Sequence, residues 1–237
     1  MANWITHTIL AERLLAHGFQ IDANGFVVGN VAPDCNQENE DWSAFTPPRE
    51  VTHWMLGSSK LSVDYQAFFD THIAGRQFSD PQEYAFLLGY YTHLVTDRCY
   101  QHFVRDPKRL AACFSRLNAD PSKSPQIQGM PETFDTLKHV FGRKTLFQDI
   151  AIYENNWLFE HPDSAYHQIL RKVVHFPDYL PIFPAGAFPR KIAVMTGEST
   201  QLYPEAHLLF FTKQEWHEFL DDTEEQLFLL LKENASV

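Results

Sequence analysis

The alternation of apolar and polar positions is helical along almost the whole chain. Between Gln82 and Val104 (QEYAFLLGYYTHLVTDRCYQHFV), Tyr84, Leu87, Leu88, Tyr91, Leu94 and Val95 recur at three- and four-residue steps, and Asp80-Pro81 stands ahead of them as a start signal. The pattern predicts one long helix over 82–104. Ile5, Ile9, Leu10, Leu14 and Leu15 predict a helix over 4–17, with Gly18 as its stop. Further helices are expected over 58–74 (Leu61, Tyr65, Phe68, Phe69, Ile73), 107–117 behind Pro107, 132–159 with a break near Gly142, and 163–175. A final amphipathic helix over 212–233 carries Phe219, Leu227, Leu230 and Leu231.

Three stretches fall outside this period. Residues 24–52 hold Gly25, Gly29, Pro33, Pro47 and Pro48 among acidic residues and read as a long irregular segment, which inside a compact fold points to function or disorder. Residues 118–131 are polar and proline-rich, a surface loop. Residues 176–189 (FPDYLPIFPAGAFP) space prolines among aromatics and cannot be regular helix, so they are expected to form an irregular cover over the core or a pocket rim. Strand patterns are nearly absent and no repeat stands out. The expected fold class is all-α, a multi-helix bundle forming a single domain over 1–237.

Composition narrows the partners. With 44% hydrophobic residues the chain can bury a full core, and its net charge of -11 argues against coating long nucleic acids. The three cysteines, Cys35, Cys99 and Cys113, share no CxxC spacing and offer neither a four-cysteine zinc site nor a disulfide framework. No run of 18 apolar residues exists to span a membrane, and the N-terminal stretch reads as an amphipathic helix instead of a signal peptide, so a cytoplasmic location is expected. Oligomeric state leaves no trace in the sequence.

Candidate chemistry starts with His93 and Asp97, four apart on the central helix and therefore on one face, one turn from each other. An imidazole and a carboxylate among apolar neighbours are either a buried hydrogen-bonded pair or two ligands of one metal ion, because burying charge is costly unless it is paired or coordinated. Three further residues extend the set: His7 in the first turn of the first helix, Asp34 after the proline turn of GNVAPD, and His53 in THW. Taken singly, each has an ordinary explanation as a helix-start histidine, a turn former or a partly buried ring. Together they offer the nitrogen and oxygen donors that zinc, iron and manganese accept. A bridging carboxylate such as Asp97 would allow two ions about 3.5–4 Å apart, the arrangement used for phosphate-ester hydrolysis. Thr92 and Thr96 flank the helix ligands as supporting donors or packing residues.

Trp4, His7, the GNVAPD turn ending at Asp34, THW with His53, and YYTHLVTD with His93 and Asp97 occur in the order seen in the zinc-dependent phospholipase C family, which the chain resembles over about residues 1–104. The single-strand-specific zinc nucleases are cousins of that family. The resemblance implies an all-α fold and a zinc cluster of one or two ions, iron or manganese being alternatives, that hydrolyses phosphate esters. It implies that His53, His93 and Asp97 hold one ion, that His7 and Asp97 hold a second, and that Asp34 is a further ligand or the residue that orients the attacking water. In secreted members the mature chain begins at the tryptophan, whose amine is a ligand; here Met1, Ala2 and Asn3 precede Trp4. A later pair, His217 and Asp221 in WHEFLDD, has the family's ligand spacing and equally the spacing of a surface pair, while His102 falls nine residues after His93, about half a turn round an ideal helix.

The expected activity is a metal-dependent hydrolase acting on a phosphate ester, whether a phosphodiester, a phospholipid-like molecule or a small phosphorylated substrate, through metal-activated water. The alternative is a helical metal-binding or scaffold protein that keeps the ligand cage without turnover. An HD-type phosphohydrolase would need an adjacent His-Asp pair, a serine hydrolase GxSxG, and a nucleotide-binding fold its glycine-rich loop; none is present.

Overall fold

The computed structural model describes residues 2–41, 43–57, 60–197, 199–205 and 208–234, apart from the side chains of Lys60 and Asn234. Among these residues the chain forms twelve α-helices and one two-residue strand pair. In order they are α1 (Trp4–Ala16), α2 (Ala23–Gly29), β1 (Gln37–Glu38), β2 (Phe45–Thr46), α3 (Arg49–Thr52), α4 (Tyr65–His72), α5 (Pro81–Phe103), α6 (Pro107–Ala119), α7 (Ser124–Ile127), α8 (Phe134–Leu146), α9 (Gln148–Glu160), α10 (Ala165–Gln168), α11 (Ala187–Met195) and α12 (Lys213–Asn234). The fold is all-α.

The predicted central helix is α5, and its start chemistry is as the sequence reads. Asp80 accepts the Gln82 N–H at 2.9 Å, satisfying a backbone donor that has no partner inside the helix, and Pro81 occupies the first turn where its missing N–H is not needed. Helices α1, α2, α4 and α12 pack around α5. Between Ala85 and Asp97 every residue of α5 is buried, so this stretch has no solvent face and its polar side chains must find partners inside the protein.

The irregular reading of 24–52 is corrected at both ends, where α2 and the single turn α3 are helical. Residues 23–29 form α2, capped by Asp22, whose carboxylate accepts the Gly25 N–H at 2.6 Å. The glycines that signal a loop serve a close helix crossing. A Cβ on Gly29 would stand 2.1 Å from the Phe86 carbonyl oxygen, and one on Gly89 2.1 Å from the Phe26 carbonyl oxygen, so backbone lies directly on backbone where α2 meets α5. After α2 a 3-10 turn at Ala32–Asp34, opened by the Pro33 ring, directs Asp34 toward α5.

Other boundaries also moved. The expected helix over 58–74 is regular only as α4, after a 3-10 turn at Lys60–Ser62; Ser58 and Ser59 lie outside the described residues. The expected helix over 163–175 shrinks to α10 and a 3-10 turn at Leu170–Lys172, because Tyr166 and Leu170 bury while the residues beyond face solvent. The loop over 118–131 contains the single turn α7. Gly142 does break the 132–159 pattern, with φ 73 inside α8. The expected irregular cover over 176–189 is irregular only to Gly186, since Ala187–Pro189 form the first turn of α11, and it acts as core: Phe176 and Tyr179, with Phe188 of α11, surround the Phe86 ring at centroid distances of 5.6, 5.5 and 5.1 Å, and Tyr179 donates to Asp80 at 2.6 Å. The segment thus ties the head of α5 to α11.

Candidate metal centre

The five residues come from four separate segments and meet at the buried flank of α5. His93 and Asp97 lie one turn apart in its middle, His7 comes from the start of α1, Asp34 from the end of the 3-10 turn, and His53 from the C-terminal end of α3. The His53 Nε2 stands 3.4 Å from Asp34 Oδ1, 3.4 Å from His93 Nε2 and 3.6 Å from Asp97 Oδ2. His93 Nε2 is 3.9 Å from the same Asp97 oxygen. The other Asp97 oxygen lies 3.6 Å from His7 Nε2, and the His7 ring stacks on His93 at 3.7 Å with a 9° tilt. Two donor groups result, Asp34–His53–His93 and His7–His93–Asp97, each with its ligand atoms within 4.8 Å of one another.

Outward hydrogen bonds fix the rings. His93 Nδ1 lies 2.7 Å from the Asn30 carbonyl oxygen, and since a carbonyl only accepts, this nitrogen carries the proton. His53 Nδ1 faces the Arg49 carbonyl at 3.2 Å and the Thr52 hydroxyl at 2.9 Å, which assigns it the same tautomer. Both Nε2 lone pairs therefore point at each other across 3.4 Å, a repulsive arrangement unless a positive species lies between them. Two nitrogens bound to one tetrahedral zinc at about 2.0–2.1 Å stand about 3.4 Å apart, so the spacing fits the ion. Neither nitrogen of the fully buried His7 has a hydrogen-bond partner among the described residues, and an ion would satisfy one of the two.

Electrostatics agree with this donor set. Burial, reinforced by the field of His7, pushes His93 down to about 3 against the pull of Asp97 and Asp34, so the ring is neutral and its lone pair is available. Burial would raise Asp34, yet a positive species at His53 Nε2, a proton hydrogen-bonded to Asp34 or an ion in its place, holds its carboxyl well below the usual range. Asp97 behaves alike: burial opposes its charge, but surrounding positive charge and its contacts with His7, His93 and His53 keep it ionised. Asp97 Oδ1 also accepts the Ala2 N–H at 3.1 Å, so that backbone nitrogen serves as a donor and not as a ligand; Met1 lies outside the described residues.

Asp34 is the member that reaches solvent. Its side chain keeps 13% exposure while those of His7, His53, His93 and Asp97 keep 3% or less, and it opens on a cleft of about 200 Å³ beside Trp4 and Phe45. A larger cavity of about 740 Å³ between α5 and α12 touches none of the five; His102, exposed, lines it. His217 and Asp221 belong to neither donor group, and the exposed Asp221 is engaged by Arg13 at 2.7 Å. Thr92 donates to the Asn30 side-chain oxygen at 2.9 Å and so buttresses the residue that orients His93, whereas the Thr96 hydroxyl has no partner.

Sequence reasoning missed Glu154. This fully buried carboxylate on α9 accepts the Thr6 N–H at 3.1 Å, the Thr6 hydroxyl at 2.5 Å and the Asn3 amide at 2.6 Å. It caps the first turn of α1 from another helix, next to His7. Its signal is an acid inside the apolar stripe Ile150, Tyr153, Trp157 of α9. Burial raises it to about 7 despite the three hydrogen bonds.

Comparison with known proteins gives one match. The sequence model of the family described as zinc dependent phospholipase C aligns with residues 6–175, which extends beyond the 1–104 carrying the recognisable motifs and takes in α9 with Glu154. No curated protein and no solved structure matches the chain.

Proposed function

Given that the chain belongs to the zinc-dependent phospholipase C family, we propose that it is a metal-dependent hydrolase of phosphate esters whose site is built from His53, His93, Asp97 and Asp34, with His7 beside them. The observation that carries the reading is the pair of facing Nε2 lone pairs on His53 and His93, flanked by two ionised carboxylates in a buried setting. In this reading His53, His93 and Asp97 hold the first ion. His7 with Asp97 Oδ1 forms a second, poorer position, because that oxygen already accepts the Ala2 N–H. When bound, zinc supplies Lewis acidity, polarising a phosphoryl oxygen and making water acidic enough to ionise near neutral pH. Asp34, at the floor of the cleft, orients the attacking water and accepts its proton. The Asn30 and Arg49 carbonyls keep both rings in the ligating tautomer throughout. Burial of the other donors confines substrate to the Asp34 side.

The alternative is a metal-binding protein without turnover, and the near-complete burial of His7 and His93 is the feature that favours it. Metal content after purification without added metal, together with hydrolysis of a chromogenic phosphodiester, separates the two. At least one equivalent of zinc with turnover, both lost in His93→Ala/Asp97→Ala, supports the hydrolase. Metal without turnover of any phosphate ester supports the alternative, and no metal even after zinc is supplied refutes both.

A further inference from the structure

The chain carries 30 acidic residues against 19 lysines and arginines, yet the cleft above Asp34 is cationic. Arg49, Arg143 and Lys191 line it, with Asp34 as its acid. Lys191 is committed to Glu38 at 2.7 Å. Arg49 and Arg143 make no ion pair among the described residues. Arg49 holds its guanidinium 4.4 Å from the centre of the Phe45 ring, and its Nε is buried without a hydrogen-bond partner among the described residues. A partly buried guanidinium with an unused donor is a group set up for an anion, since an unsatisfied buried donor is costly and arginine binds phosphate through its planar fork. The same residue supplies the backbone carbonyl that holds the His53 ring, so the cation lies one helical turn from the metal centre.

We infer that Arg49 and Arg143 bind the terminal phosphate of a doubly charged phosphomonoester, and that the cleft selects such monoesters over diesters. This rests on the hydrolase reading above. Two guanidiniums without an ion pair among the described residues offer forks to the three terminal oxygens of a monoester, whereas a diester offers two such oxygens and brings two substituents. The cleft, about 200 Å³, is below the range of roughly 300–1,000 Å³ typical of drug-sized ligands and suits a phosphate with one small group. Hydrolysis of the monoester adds the water oxygen to phosphorus, breaks the P–O bond to the alcohol, and delivers one water proton to that alcohol. Inorganic phosphate remains with the same charge, which makes it a binding probe that requires no turnover.

The test uses the full chain as wild type, Arg49→Gln and Arg143→Gln, each checked for zinc content and folding by circular dichroism. Inorganic phosphate binding is measured calorimetrically on zinc-loaded and metal-stripped protein, alongside kcat/KM for p-nitrophenyl phosphate and bis-p-nitrophenyl phosphate. Arg143 is exposed, so its variant tests the inference without a folding risk. We expect each variant to weaken phosphate binding, in stripped protein as well, and to lower kcat/KM for the monoester by about tenfold or more, consistent with losing a hydrogen bond to a charged group. The diester should change less than about threefold. Phosphate binding and monoester preference untouched by both variants overturn the inference even if the diester is hydrolysed normally. Phosphate binding that depends on Arg49 and Arg143 in a zinc-loaded protein hydrolysing neither ester would sustain the anion site while refuting the hydrolase.

Discussion

Glu154 makes the stability of the folded chain depend on pH in a way that can be calculated beforehand. Its carboxyl ordinarily titrates at 4.5 and burial moves it to about 7 in the folded protein. The folded state therefore binds the proton more tightly than the unfolded state. The sign follows: the contribution is fully present below 4.5, declines as pH rises, and is lost once pH passes about 7. A displacement of that size is worth roughly 3 kcal/mol, most of which falls between pH 5 and pH 8. Glu154→Gln removes the titration and keeps an oxygen for the Thr6 N–H and hydroxyl, while Asn3 can turn its amide to accept from the new –NH2. Every other titrating group is common to both proteins and cancels in the difference. Urea unfolding of chelator-stripped wild type and Glu154→Gln at pH 5 and pH 8 should show wild type losing roughly 2–3 kcal/mol relative to the variant. Parallel pH profiles would refute the account of Glu154 as an uncompensated buried acid.

Gly89→Ala pushes a methyl against the Phe26 carbonyl oxygen at 2.1 Å and must separate α2 from α5; the expected loss is about 3 kcal/mol or more by thermal or urea unfolding, with weaker zinc binding because Asn30 withdraws from His93. Zinc at a hundredfold excess over its Kd should stabilise the protein by about 2.7 kcal/mol, seen as a raised Tm that a chelator reverses; His93→Ala should abolish the shift. Asp34→Asn should retain zinc while kcat for a phosphate ester falls by about 10²-fold or more, and a loss of metal instead would make Asp34 a principal ligand.

Much of this was legible in the sequence, and the gaps have physical causes. The period of α5 and the four-residue step from His93 to Asp97 are local properties, so a helix with both groups on one side follows from covalent geometry. The start of α5 was equally local, since Asp80 caps it through its own neighbour. The short helix α2 was not, because glycine has one reading as a chain breaker and another as a place where two backbones touch, and only the partner helix decides between them. The expected helix over 163–175 failed for the reverse reason: its apolar residues are satisfied by single turns anchored at Tyr166 and Leu170. Convergence of His7, Asp34 and His53 on α5 depends on tertiary packing and entered through the order of motifs, not through spacing. Glu154 stayed hidden because its partners Asn3 and Thr6 lie about 150 residues away in the chain.

The crossing of α2 on α5 also determines where this site can change in evolution. At Gly29 and Gly89 any other amino acid puts atoms where a carbonyl oxygen already stands, and Asn30, the next residue, carries the carbonyl that orients His93. At these two positions backbone meets backbone, so no side chain there can be lengthened or repacked without moving a helix and, with it, the carbonyl that orients His93. The cleft side is unlike it: Trp4 opens α1, Phe45 sits on a two-residue strand, Arg49 opens α3 and the exposed Arg143 follows the Gly142 break of α8, so side chains and not touching backbones form that wall. Change in such a chain is thus channelled toward the cleft wall, while the crossing that positions His93 stays fixed.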